Sequence, residues 1–260
     1  MKNEFRIFLT TLIFFTRIPI KIKNFQSSDL NKCTRYFPLV GILVGSASFL
    51  VLQIALYLFP VEISVILSLI IGILITGSFH EDGFGDVFDG FGGGWNKTRI
   101  LEIMKDSRLG TYGTVALLAL FLLKVYALSF LVNFYAGNCY LLLLLFIVYH
   151  ALARTTGITL SFLLPYSRED ASSKSKPLAQ SFTWKEVLGA FAFGGIPFLL
   201  LLKFSLYYLI TLPILALLVL YSRYYFKRWI DGYTGDCLGA VEQFAEIIIL
   251  LTFVALCRFI

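Results

Sequence analysis

Residues Thr111 to Phe134 read TYGTVALLALFLLKVYALSFLVNF, twenty-four positions with Lys124 as the one charged side chain. A helix needs about 20 mostly apolar residues to cross a bilayer, so this run predicts a transmembrane helix. Further runs of the same kind occupy residues 36–58, 61–79, 140–164, 187–202, 205–225 and 241–258. The run at 187–202 is short and holds Gly194, Gly195 and Pro197, which predicts a bent or partial span. Residues 5–20 are apolar but broken by Arg17 and Pro19, and predict an interfacial or re-entrant helix. The pattern therefore predicts an all-α, polytopic membrane bundle of about seven transmembrane helices. No stretch is long enough for a separate soluble unit, so residues 1–260 read as a single membrane-embedded domain.

Composition agrees. The 260 residues are 58% apolar and 15% charged, against roughly 45–50% and about 25% in soluble domains. The mean hydropathy is +0.81, which excludes a disordered chain and disfavours a cytosolic enzyme. Cys33, Cys139, Cys237 and Cys257 form no CxxC pair, and there are only two histidines. A zinc or redox motif is not expected, and hard oxygen ligands remain. The opening residues Met1-Lys2-Asn3-Glu4 lead into no small-residue cleavage site, so no cleaved signal is expected.

Eighteen of the 22 Lys and Arg lie in residues 1–35, 80–110, 165–186 and 223–240, which fall on one side if the spans alternate. Short cytoplasmic loops carry the Lys/Arg excess. The expected location is thus a bacterial cytoplasmic (inner) membrane, crossed several times, with the N-terminus and these loops in the cytoplasm. The net charge of +6 is a topology signal, and nucleic acid is not an expected partner; the lipid bilayer is.

Acidic residues gather in one place. His80-Glu81-Asp82-Gly83-Phe84-Gly85-Asp86-Val87-Phe88-Asp89-Gly90 is followed by Phe91 and three glycines. If the segment continues the helix of 61–79, Asp82, Asp86 and Asp89 lie within about 60° on one face. Like charges at this spacing repel, and a divalent cation removes the objection. Mg²⁺ prefers carboxylate oxygens and shares its shell with substrate phosphates. The expected metal set is Asp82, Asp86 and Asp89, with Glu81 added although it points away on a regular helix. The expected catalytic set is the three aspartates and His80, one of which removes a proton from the nucleophile.

Phosphate contacts are expected from Lys105 and Arg108, three positions apart. Asp106 and Ser107 suit a cap for the helix beginning near 110. Arg154 lies inside an apolar span, where a charge marks a functional or partnered group, and it is expected to join Lys105 and Arg108 in binding substrate phosphate. Thr234-Gly235-Asp236 offers a turn able to hold phosphate or metal, or a cap by Asp236 on the last helix. Glu242 and Glu246 follow at the mouth of that helix.

The chain resembles the cobalamin synthase family. The matching segments are Phe15-Thr16-Arg17-Ile18-Pro19, Phe37-Pro38-Leu39-Val40-Gly41, the run His80 to Gly90, Ile103 to Gly113, and Thr234-Gly235-Asp236 with Leu238-Gly239-Ala240. The resemblance implies a Mg²⁺-dependent membrane transferase that joins adenosylcobinamide-GDP to α-ribazole or its 5′-phosphate. The products would be adenosylcobalamin or its phosphate, with GMP released. It implies roles for Asp82, Asp86 and Asp89 through the acidic motif and for Asp236 through the late Thr-Gly-Asp motif. Two positions depart from the family's pattern: Glu81 stands where an apolar residue is expected, and Asp231-Gly232 replaces Gly-Gly. A large, partly apolar corrinoid suits an aromatic-walled cavity beside the metal, and homo-oligomers are compatible with the pattern.

Other diphosphate transferases of membranes also use spaced aspartates. The CDP-alcohol phosphotransferase run Asp-x-x-Asp-Gly-x-x-Ala-Arg is not matched, because Gly90 is followed by Phe91-Gly92-Gly93-Gly94. A prenyltransferase needs a second acidic motif, of which Asp231 to Asp236 is a poor copy. A cation transporter would carry its acids nearer the middle of the spans.

Overall fold

The computed structural model describes residues 2–22, 26, 28–167 and 182–259. Among these the chain is helical, and the one β-type contact is an isolated parallel bridge between Tyr166 and Tyr233. Eleven helices follow in order: α1 (Lys2–Phe15), α2 (Asp29–Lys32), α3 (Phe37–Ala55), α4 (Val61–Thr76), α5 (Phe79–Gly93), α6 (Lys97–Ile103), α7 (Thr111–Phe134), α8 (Cys139–Leu163), α9 (Trp184–Leu201), α10 (Thr211–Ile230) and α11 (Gly235–Leu256). Short 3₁₀ turns at Cys33–Tyr36 and Leu206–Ile210 lead into α3 and α10.

Six helical segments are long and apolar enough to cross a membrane, and α4 with α5 makes a seventh if that bent pair is one span. This is the all-α membrane bundle the sequence predicts. The helix at the centre is α8, flanked by α3, α9 and α11. Its buried share, 89% over the most apolar window, contrasts with 28% for the segment containing α10. Such a difference separates a bundle core from a helix with a lipid-facing stripe. The α9 helix runs continuously through Pro197 over 18 residues and is long enough to cross, so it is not a partial span by length. Helix α1 ends at Phe15, before Arg17 and Pro19.

The decisive departure is at residues 77 and 78. Instead of continuing α4, the acidic segment forms its own helix, bent from α4 by 90°. Gly77 takes φ +72° and Ser78 φ +58°, and both of their N–H groups donate to Ile73 O. Left-handed residues end helices in this way, and glycine does so without a Cβ penalty. The Arg17 side chain lies across the bend, so that a Cβ on Gly77 would sit 2.7 Å from Arg17 Cγ. Gly77→Ala is therefore expected to cost about 1–2 kcal/mol from the left-handed backbone alone. Thermal unfolding in detergent should show it as a lowered Tm, and an unchanged Tm would remove the bend from this account.

Candidate active site

The bend turns α5 across the N-terminal end of α11. One face of α5 is apolar: Phe84 and Phe88 pack at a tilt on Phe244 with ring centres 5.0 and 5.8 Å apart, and Phe91 meets Phe226 at 5.5 Å. Glu81 and Asp82 lie in the first turn, where the helix dipole favours acids. Between these faces sits Gly83. A Cβ there would lie 2.8 Å from Asp236 Cα and 2.9 Å from Asp236 O. Glycine thus lets the two backbones touch, and the crossing brings Asp236 beside the turn bearing Asp82 and Asp86. Asp82 is exposed and Asp86 half-buried.

Asp89 does not share that open face. It is buried, with Oδ2 accepting from Gly110 N–H at 2.7 Å and Oδ1 from Gly113 N–H at 2.9 Å. It caps α7 from another helix, in place of the Asp106 and Ser107 expected to do so. Asp89→Ala should therefore cost about 1–2 kcal/mol, the loss typical of a cap. Unfolding measurements on the purified variant check this; a loss of turnover without a loss of stability would give Asp89 a different role.

Asp106 instead chelates Arg108, with Oδ1 to Nε at 3.0 Å and Oδ2 to Nη2 at 2.5 Å. That pairing and the Arg108 N–H hold the Asp106 carboxyl down at about 2. At neutral pH it is ionised and paired with Arg108. Arg108 is highly exposed, with a relative side-chain accessibility of 86%.

Several expected site residues point inward. His80 is buried, its ring lies 5.5 Å from Phe37, and Nδ1 is 3.9 Å from Glu242 Oε2. It faces away from the side bearing Asp82. Glu81 also leaves the aspartate face, and its Oε1 accepts from Gln243 Nε2 at 3.4 Å. Arg154 does not reach the surface: it is 2% exposed and pairs with Glu242 at 3.1 Å and Glu246 at 3.5 Å. Thr234 is buried as the N-cap of α11, accepting from Cys237 N–H, with Oγ1 3.3 Å from Asp236 Oδ2. Asp236 lies in the first turn and is not the cap.

Sequence reasoning missed the buried polar network around Arg154. Glu246 binds Lys124 Nζ at 2.6 Å and His150 Nδ1 at 2.7 Å. Helix α11 begins at Gly235, six residues before the expected span, so Glu242 and Glu246 lie inside the bundle. The available signal was charge within apolar runs: Lys124, Arg154 and the Glu242/Glu246 pair one turn apart. His150 gave no signal of its own beyond lying one turn before Arg154.

Apolar cavities of about 420 and 580 Å³ flank α5 and share Phe88, Tyr112 and Phe244 in their walls. Neither is lined by Asp82 or Asp86. These two cavities lie on other faces of the helix than Asp82 and Asp86. Among the described residues, no three His, Cys, Asp or Glu side chains converge on a complete metal site. Mg²⁺ does not require one, since it binds through one or two carboxylates plus waters and substrate phosphates. Asp82 and Asp86, on the accessible face of one helix, fit that mode.

Fold and site together define a polytopic helical membrane protein with an acidic helix crossing near one end of its bundle. The cobalamin-5-phosphate synthase family model matches residues 7–254, and the chain belongs to that family of transferases. It is 42% identical to an adenosylcobinamide-GDP ribazoletransferase of Shewanella amazonensis, covering 98% of this chain and 97% of that one. It is 38% identical to a protein of the same name from Leptospira interrogans, covering 96% of each. The Shewanella baltica protein is 43% identical over 95% of this chain and 92% of its own. No solved structure matches.

Proposed function

We propose that this chain transfers the cobinamide phosphate of adenosylcobinamide-GDP to a ribose hydroxyl of α-ribazole or its 5′-phosphate, with GMP as leaving group. The observation that supports the reading is the contact of Gly83 on the Asp236 backbone, which sets the start of α11 against α5 next to Asp82 and less than one turn from Asp86. Asp82 and Asp86 would hold Mg²⁺, which when bound screens the diphosphate and favours departure of GMP. Asp236, two residues after the Thr234 cap, would take the incoming hydroxyl or a second ion. Arg108 and Lys105, on the exposed loop before α7, are suited to the guanosine-side phosphate. The new P–O bond forms at the phosphorus nearer the cobinamide, the bond between the two phosphates breaks, and the hydroxyl proton passes to a site carboxylate. His80, turned toward Glu242, serves the fold of α5 in this scheme and not the proton transfer. The Lys/Arg bias supports a cytoplasmic location for the site in the inner membrane.

Purified protein in nanodiscs, supplied with adenosylcobinamide-GDP and α-ribazole, tests the reading by mass spectrometry of the corrinoid product. The reading expects one cobalamin formed per GMP released. GMP without that product, or product with another nucleotide-linked donor, would assign a different diphosphate chemistry.

A further inference from the structure

Gln243 is 1% exposed at the centre of the polar network. Its Oε1 accepts from Lys124 Nζ at 2.5 Å, and its Nε2 donates to Glu242 Oε2 at 2.8 Å and to Glu81 Oε1 at 3.4 Å. These partners fix the orientation of the amide, because an ammonium requires the oxygen and carboxylates require the NH₂. One side chain thereby links α7, α11 and the first turn of α5.

That turn is packed through Phe79 on Phe14 and Phe15 and through buried His80 on Phe37, and its side-chain hydrogen bond to α11 is the one from Gln243 to Glu81. The turn follows the left-handed pair Gly77–Ser78, and Ser78 makes no side-chain cap. The Gly83 contact contributes no side chain. The packing of Phe84, Phe88 and Phe91 and the Asp89 cap act further along the helix. Glu81 Oε2 is buried without a hydrogen bond, so its link to α11 runs through Oε1 and Gln243. Neighbouring residues on a helix point about 100° apart. Holding Glu81 inward therefore holds Asp82 outward.

We infer that Gln243 is a positioning residue: through Glu81 it sets the rotation of the first turn of α5 and so the aim of the Asp82 carboxylate. Its effect on turnover rests on the function proposed above, whereas its effect on the helix does not.

The test uses full-length protein in nanodiscs with Cys139→Ser, which removes the exposed thiol and leaves Cys33, Cys237 and Cys257 buried. Asp82→Cys is labelled with a charged maleimide, with and without Gln243→Met, a volume-similar change that abolishes both hydrogen-bonding roles. At least fivefold slower labelling is expected in Gln243→Met. With Asp82 intact, Gln243→Met should lower kcat for GMP release at least tenfold and leave KM for both substrates within twofold. Glu81→Met cuts the same link while leaving the Lys124 contact, and should reproduce both results if Gln243→Met does not fold. Unchanged labelling in the variants that fold overturns the inference, as does a fall in kcat that only tracks a fall in Tm. If the parent protein releases no GMP, the proposed function fails, and labelling alone still decides the role of Gln243.

Discussion

Asp82→Ala is expected to reduce GMP release by about 10³-fold, the upper range for removing one group that stabilises transition-state charge, and to leave the fold intact. Asp82 is exposed, and surface substitutions away from special features change stability by about ±0.5 kcal/mol. In the proposed site the same carboxylate is one of two that would hold Mg²⁺ against the diphosphate, so a large kinetic effect should come with almost no change in Tm. The comparison with Asp89 sharpens the test. Three positions beyond Asp86 in the same motif, Asp89 is buried on two backbone N–H groups, so its removal should register first as lost stability. Steady-state rates and melting curves of the two variants, measured side by side, should show opposite patterns. Equal kinetic losses at unchanged Tm would mean that the three aspartates act as one set after all.

Arg154→Met is the second large effect, and it falls on stability. The guanidinium is enclosed by Glu242, Glu246 and the carbonyl of His150, the last at 2.9 Å. Removing one partner of a buried ion pair typically costs about 3–5 kcal/mol, because the partner's charge stays behind. Removing the partner's charge as well returns much of that loss. The single variant should accumulate poorly and melt far below the parent. Arg154→Met combined with Glu242→Gln should recover a substantial part of the Tm. A double variant as unstable as the single one would show that Arg154 contributes packing and not charge balance.

Much of the fold was legible because apolar length is a local property. The run Thr111–Phe134 coincides with α7 residue for residue, and α8 lies within a residue of its predicted limits. What failed was local conformation at two junctions. Thr76-Gly77-Ser78 contains the glycine that ends helices, but the apolar count ran through it, and the 90° turn of α5 was lost. At the other junction, a Gly-rich stretch that reads as a loop is the first turn of α11, capped by Thr234.

The acidic motif identified the right helix. Its spacing could not tell which aspartate meets solvent, because burial of Asp89 depends on Gly110 and Gly113 arriving from another helix. The Arg154 network is of the same kind. Its members lie on α7, α8 and α11, and no pattern within one helix reveals that they meet. Glu81, the departure from the family's apolar residue, acquires a reason only in three dimensions, where Gln243 stands opposite it.

The central claim is that the α5–α11 crossing is a Mg²⁺-dependent phosphoryl-transfer site. Its most direct test is the time course of GMP release from adenosylcobinamide-GDP and α-ribazole by purified protein, treated with EDTA and then resupplied with Mg²⁺. Release that stops with EDTA, resumes with Mg²⁺ and is lost in an Asp82→Ala/Asp86→Ala double variant of unchanged Tm is the predicted result. Release at the full rate after EDTA, or in the double variant, would contradict the account.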